Sequence, residues 1–402
     1  MKVILDLTIV PLGVGLSLSK YVAVCEEILD NAGLKHTLHA NGTNIEGEWD
    51  DVFNAIKCCH QQLHQLGVIR IHTNIKIGTR TDKLQTMDEK IKLGVSACLL
   101  GQEVRWNGGH ARDRYLTDIL GKYVEYMPVC PEVECGMGVP RETLRLVGDP
   151  DNPNLVTSKT NIDHTDRMTQ WARKKAKELE KENLCGFVFK KNSPSSGLFR
   201  VPVRTSKGMP NKKGQGIFAR VFTEHFPLIP VEEEGRLHDS KLRETFIEQI
   251  FTLMRWRQTL SKKKSMGNLI DFHTRHKLLI MSHSPSLYQI MGKRVAGGKE
   301  LAMNDLFTQY ETLLIDALRL KTTLKKNINV LQHIMGYFKK QLSPDEKQEL
   351  LEIINQYRQE HVPLIVPVTL LNHYVRKYKQ PYLVQQIYLN PHPIALKLHN
   401  HV

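Results

Sequence analysis

Two stretches, VSACLLG at 95–101 and PVCPEVECGMGVPRE at 128–142, decide how the middle of this chain folds. Each carries an apolar run into a cysteine, Cys98 or Cys130, followed by small residues and turn formers. Each therefore reads as a buried strand whose carboxyl end presents a soft thiol. A third run, Gly186 to Lys190, leads into NSPSSG at 192–197, which puts serines at the same kind of strand end. Helices are expected between these strands, near Arg114–Leu120 and from Asp163 or Thr165 to Lys181. Strands alternating with helices predict an α/β domain with a mostly parallel sheet, and open sheets of that kind bind ligands at the carboxyl ends of their strands.

The whole chain, 402 residues with 41% apolar and 24% charged residues, is long enough for two or three domains at about 150 residues each. No run approaches the roughly 18 apolar residues of a membrane span, so no membrane partner is expected. The opening MKVILDLTIVPLG alternates and carries Asp6, which reads as a strand rather than a signal peptide. Seven cysteines without framework spacing suit reduced thiols or metal ligands, and with them a cytoplasmic location. Cys25, Cys58 and Cys59 read as helix-face core residues. The formal charge of +14 is concentrated late in the chain: from Arg236 to Val402 there are 25 Lys and Arg against 13 Asp and Glu, a difference of 12. That asymmetry suits a polyanion such as RNA as well as it suits a solvated surface.

With VRWNGGHARD (104–113) between them, the two cysteine motifs and the SPS turn resemble the thiouracil desulfurase (TudS-like) family over about residues 91–225. The resemblance implies three cysteines that hold a four-iron four-sulfur cluster, with the fourth iron open to the sulfur of a thiolated pyrimidine. Carried over by motif, Cys98 and Cys130 are ligands, Glu132 is the acid/base and Ser193 a substrate-activating hydroxyl. The third ligand position falls on Ser196. A serine oxygen is a hard, rarely ionised donor and a poor substitute for thiolate at iron. Cys135, on the same loop as Cys130, is the better candidate for the missing sulfur. Cys185 stands at the far end of a strand of about five residues, roughly 15 Å from the turn. Cys135 reads more readily, though, as a small buried apolar residue.

Residues 1–90 carry a βαββαβ pattern. Val3, Leu5, Leu7 and Ile9 alternate, a helix follows from about Ser19 to a stop at Gly33, and Asp50 or Asp51 is placed to cap a second helix. The order predicts a ferredoxin-like α+β sandwich. IVPLG (9–13), SLSKYV (17–22), EGEWDDVFNAIK (46–57) and TNIKIGTRTDK (73–83) resemble the YqgV/YkoF-like thiamine-binding family. That resemblance implies a domain for thiamine or a related pyrimidine that forms homo-oligomers through its sheets. Glu46, Glu48 and Trp49 suit a cationic aromatic ligand through charge and stacking, and suit a helix start and a core plug equally.

From about Arg236 the pattern is helical, with a capping box at Ser343–Glu346. FHTRHKLLIMSHS (272–284), HIMGYFKK (333–340) and PYLVQQIYLNPHP (381–393) are similar to the YbgA-like family of helical domains. His273, His276 and His283 have metal-like spacing without a carboxylate partner in the motif, so a polar packing face is expected. Lys339, Lys340, Arg376, Lys377 and Lys379, interleaved with Tyr337, Tyr374 and Tyr378, suit a phosphate backbone or solvated helix ends. The expected organisation is 1–90, 91–232 and 236–402. Two functions of different class remain: an iron–sulfur desulfurase of thiolated pyrimidines or nucleosides, weakened by Ser196, or a non-catalytic thiamine- or pyrimidine-binding regulator on a lapsed scaffold.

Overall fold

The structure, a computed structural model, describes residues 2–14, 17–39, 42–78, 90–204, 210–298, 301–393, 396 and 398. Residues 79–83 of the thiamine-family motif, and 88 and 89 just ahead of the expected boundary at 90/91, lie outside these. The chain forms two compact units, Met1–Glu89 and Lys90–Val402.

In the first unit the elements are β1 (Lys2–Leu12), α1 (Ser19–Asn31), β2 (Lys35–His39), β3 (Gly42–Glu48), α2 (Trp49–Gln65) and β4 (Arg70–Gly78). The antiparallel sheet has the order β2-β3-β1-β4, so the two long strands β1 and β4 lie side by side. Alternation works as expected: Val3, Leu5 and Leu7 point inward with Ile45, Val52 and Ile56. Helix α2 starts earlier than the aspartates suggest. Glu48 is its cap residue, and Asp50 and Asp51 occupy the first turn, where acidic charge favours the positive end of the helix.

The second unit continues with β5 (Ile91–Ser96), β6 (Val124–Val129), a single turn α3 (Pro131–Glu134), β7 (Leu144–Asp149), β8 (Asn152–Thr157) and α4 (Thr165–Leu179). Then come β9 (Gly186–Phe189), β10 (Val201–Arg204), β11 (Pro210–Gly214), α5 (Ile217–His225) and β12 (Val231–Glu233). The expected parallel sheet is β12-β9-β5-β6, every neighbouring pair parallel. A second sheet, β11-β10-β7-β8, was not expected from the sequence. Where a helix was expected near Arg114–Leu120, the chain makes one wide turn, Tyr115–Ile119, and a tighter one, Leu120–Lys122.

Helices complete the unit: α6 (Ser240–Leu260), α7 (Met266–His283), α8 (Pro285–Ala296), α9 (Met303–Arg319), α10 (Leu324–Gly336), α11 (Pro344–Arg358), α12 (Ile365–Lys377) and the short α13 (Pro381–Val384). The capping box at α11 is present, with the Ser343 and Glu346 side chains each bonding the other's backbone amide. Helix α6 serves two cores. Phe246, Ile247, Ile250 and Phe251 pack with Leu93, Val95 and Val188 of the parallel sheet. Leu253 and Trp256 pack instead among the helices, against Phe272, Phe307 and Tyr310. Leu396 and Leu398 also join the sheet's core.

The three histidines are packing residues. His273 Nδ1 meets the Tyr310 hydroxyl at 3.0 Å, and His276 Nδ1 donates to Phe272 O at 2.8 Å. His283 lies between Leu320 O at 2.7 Å and Glu248 at 3.0 Å, and all three are buried. Part of the basic, tyrosine-rich stripe is likewise engaged internally. Lys377 and the Tyr378 hydroxyl bind Glu346, and Tyr374 binds Glu349. Among the described residues no helix is long and apolar enough to cross a membrane.

Candidate functional site

Loops at the carboxyl ends of β9, β5 and β6 meet around a cleft of about 410 Å³, lined by Cys98, Arg105, Trp106, Cys130, Glu132, Arg141 and the run from Lys190 to Ser196. Parallel pairing sets this up: β5 lies between β6 and β9, so the segments that follow all three emerge on one edge. Cys98 sits in a tight turn ended by Gly101 at φ +92, a left-handed conformation suited to glycine. The Cys98 carbonyl accepts the amides of Gly101 at 3.2 Å and Ala111 at 3.0 Å, which fixes the thiol's backbone. Cys130 is the cap residue of α3, and the amides of Val133 and Glu132 point at its sulfur.

The SPS turn is held by carboxylates from the neighbouring strand β12. Glu233 accepts the amides of Leu198 at 2.8 Å and Phe199 at 3.0 Å. Glu234 accepts Lys191 N at 2.7 Å and also binds the Lys190 ammonium. Burial raises Glu233 above the usual carboxylate range, against the pull of those two amides. Gly216 lets the start of α5 approach this turn: a Cβ there would lie 2.6 Å from the Ser195 carbonyl carbon.

Glu132 is gripped from two sides. Arg141 Nε donates to Oε2 at 2.9 Å, with its Nη2 on the same oxygen, while Ser195 donates to Oε1 at 2.8 Å. Arg141 Nη2 also reaches Val104 O at 2.9 Å and Nη1 reaches Gly138 O at 3.2 Å, so one guanidinium ties the Glu132 turn to the loop carrying Arg105 and Trp106. Ser193 and Ser195 hydroxyls lie 3.0 Å apart, and Ser196 N donates to the Ser193 hydroxyl at 3.1 Å.

Burial pushes the Cys98 thiol up to about 11, against the pull of Lys190 and with a further push from Cys130. Burial also raises Cys130. Both sulfurs are therefore thiols at neutral pH unless a cation draws off the proton.

The cleft thus brings together Cys98, Cys130, Glu132, Ser193 and Ser196. Cys135 does not line it: the thiol contacts Glu132 O at 3.3 Å and packs with Met137, Leu146 and Met168. Cys185 is in the sheet's core, with Arg257 at 3.9 Å. In the first unit, Glu46 is buried and 4.0 Å from Lys35, Glu48 stands at the cap position of α2, and Trp49 stacks on Phe53 at 4.7 Å. None of these three lines that unit's own cavity of about 1050 Å³, bordered by Asp6, Thr8, Tyr21, Cys25, Asn74 and Lys76.

Sequence reasoning missed Arg141 and Ser195. Both stand inside the quoted motifs, but their roles depend on contacts made across the sheet edge. Among the described residues no three His, Cys, Asp or Glu side chains are grouped to hold a metal ion. The cleft's soft donors are two thiols, with the Ser196 hydroxyl as an oxygen at a third position. As donors toward a cluster, these residues offer two sulfurs and one hard oxygen, a weaker hold than three thiolates.

An α/β unit with a thiol-lined cleft at its strand ends, in a chain that also contains a ferredoxin-like sandwich and a helical region, is a composite protein. Residues 5–93 match the family model "Thiamine-binding protein", 93–234 match "2-thiouracil desulfurase", and 277–393 match "Protein of unknown function (DUF1722)". The UPF0045 protein sll0230 of Synechocystis sp. is 61% identical over 92 residues, which are 23% of this chain and 76% of that protein. The uncharacterized protein YbgA of Escherichia coli is 29% identical over 151 residues, 37% of this chain and 89% of YbgA. Among solved structures, the [4Fe-4S]-dependent thiouracil desulfidase TudS is 29% identical, with a TM-score of 0.32, covering 37% of this chain and 95% of that one. The chain belongs to the UPF0045 thiamine-binding family in its first part and continues through a 2-thiouracil desulfurase segment into a YbgA-like one.

Proposed function

We propose that the cleft removes sulfur from thiolated pyrimidines or nucleosides, turning C=S and water into C=O and hydrogen sulfide. The observation that carries this reading is the meeting of Cys98, Cys130 and Glu132 on one cleft in the segment that matches the desulfurase family. Cys98 and Cys130, with Ser196, would hold a four-iron four-sulfur cluster. When bound, such a group supplies a thiophilic Lewis acid for the departing sulfur. Trp106, 46% exposed among the lining residues, offers a ring for a pyrimidine to stack on. Glu132, aimed by Arg141 and Ser195, takes a proton from the attacking water. Ser193 activates the substrate through its hydroxyl.

A second reading, a pyrimidine-binding regulator without turnover, is favoured by one observation: an oxygen at Ser196 where a third sulfur would strengthen the hold on iron. In either case the first unit takes a thiamine-type ligand, in the cavity bordered by Asp6, Thr8 and Tyr21 and not at Glu46, Glu48 and Trp49, which do not line it, and self-associates through its sheet. The basic helical region meets RNA, and the chain works among the reduced thiols of the cytoplasm.

Oxygen-free purification followed by iron and sulfide analysis separates the two. The desulfurase reading requires about four irons per chain, sulfide released from 2-thiouracil or 4-thiouridine, and loss of iron in Cys130→Ala but not in Cys185→Ala. A preparation that stays iron-free after reconstitution, yet binds a thiopyrimidine unchanged, selects the regulator. Equal iron in the two variants overturns the ligand assignment.

A further inference from the structure

Glu132 and Ser193 do not touch each other; Ser195 stands between them. Its hydroxyl, on a residue only 1% exposed, donates to Glu132 at 2.8 Å and lies 3.0 Å from the Ser193 oxygen. A hydroxyl has one proton to give. Because the Ser195 proton goes to the carboxylate, the Ser193 proton goes to Ser195, and the Ser193 oxygen in turn accepts the Ser196 amide at 3.1 Å. The chain of donors therefore runs in one direction, from the Ser196 amide through two hydroxyls to Glu132, where Arg141 grips the opposite oxygen. The turn that carries Ser195 is itself pinned by backbone: Ser195 O accepts Phe218 N at 2.9 Å, and Gly197 N donates to Ser193 O at 2.7 Å.

We propose that Ser195 is a positioning residue that couples Ser193 to Glu132, so that the two groups work as one hydrogen-bonded unit with Arg141 as its anchor. Resting on the desulfurase reading, this names a residue the motif comparison left aside. Bonds in such a chain polarise one another, so loss of the middle member loosens both ends. Glu132 then keeps Arg141 on one side only, and the Ser193 hydroxyl, still bonded by the Ser196 amide, loses the acceptor of its proton.

The test uses the full chain and the variants Ser195→Ala, Ser195→Thr, Ser193→Ala and Glu132→Gln. Sulfide release from 2-thiouracil gives kcat and KM, and calorimetry gives the Kd for uracil. Ser195→Ala is expected to lower kcat by about 10- to 100-fold, short of the loss of an acid–base group itself, with KM and the uracil Kd within about twofold. Ser195→Thr, which keeps the hydroxyl, restores most of the rate. An unchanged kcat in Ser195→Ala overturns the proposal. So does a parallel loss of rate and uracil binding that threonine fails to rescue, which would mark Ser195 as a structural loop residue.

Coupling is also read without turnover, from a double-mutant cycle in urea denaturation. Ser193→Ala and Glu132→Gln should be non-additive in the parent chain and additive in the Ser195→Ala background. If the parent chain releases no sulfide, the functional reading fails on its own. The denaturation cycle still decides the coupling, and additivity in the parent chain overturns it.

Discussion

Acid should loosen the helical region through two histidines that resist taking up a proton while folded. Burial lowers His273 to about 4, helped by Lys277. Burial lowers His276 to about 3, with Arg255 and Arg275 adding to the effect. His276 is 2% exposed and stacks on Phe272 at 3.8 Å, so a charged ring there would lie in an apolar layer beside other cations. Both folded values lie below the 6.5 of an ordinary histidine, so this contribution is fully present above that pH and is lost as pH falls toward 4 and then 3.

At a pH of about 4.5 the unfolded chain holds both protons and the folded chain few of them. Two pH units at about 1.36 kcal/mol each give about 2.7 kcal/mol for His276 and slightly less for His273, about 5 kcal/mol together. The figure depends little on the folded values, provided they stay below the working pH. The assay is urea unfolding followed by the fluorescence of Trp256, fully buried, with Trp49, Trp106 and Trp171 replaced by Phe. Carboxylates titrate in the same range, so the quantity to read is the difference between the parent and His276→Phe. The parent should lose about 2.7 kcal/mol more than the variant between neutral pH and about pH 4.5. Equal losses would refute the reasoning, because His276 would then be free to charge in place.

Three further outcomes are expected. Arg141→Ala removes a side chain 9% exposed that bonds Glu132, Val104 O and Gly138 O, and should cost about 2–3 kcal/mol of stability along with most sulfide release; a neutral result in urea denaturation argues against the clamp. Alkylation of Cys98 by iodoacetamide, followed by mass spectrometry of the metal-free chain, should be slow at neutral pH and rise toward a pH of about 11, where the thiol ionises; full labelling at neutral pH would contradict the burial of that sulfur. If the basic helical region binds RNA through about six phosphates, affinity should fall roughly a thousandfold between about 50 and 200 mM salt, and a flat response in filter binding would remove RNA as a partner.

Where side-chain period alone set the structure, the sequence was readable. Val3, Leu5 and Leu7 announced β1, and the apolar runs ending near Cys98, Cys130 and Lys190 placed three loops on one sheet edge. The second sheet was hidden because its strands are short and depend on distant partners. β11 reads PNKKG, and β10 pairs with β7 through Val203 and Leu146. The site was legible in its motif residues and opaque in their support. Arg141 meets Glu132 across nine residues of chain and Ser195 meets it across 63, separations at which no local pattern speaks. Cys135 shows the reverse difficulty: nearness to Cys130 in sequence suggested a shared site, but the turn of α3 sends its sulfur into the layer of Met137 and Met168. The histidine spacing marked a helix face correctly and said nothing of Tyr310 on α9 and Glu248 on α6 waiting on the other side.

Helix α6 joins the thiol-bearing sheet to the helices beyond it as a common beam. A chain severed ahead of Ser240 would strip Phe246, Ile247, Ile250 and Phe251 from beneath β5 and β9, together with the leucines at 396 and 398. The floor under Cys98 would then be bare hydrocarbon facing water, so the third segment is part of the foundation of the second and the two should melt as one body.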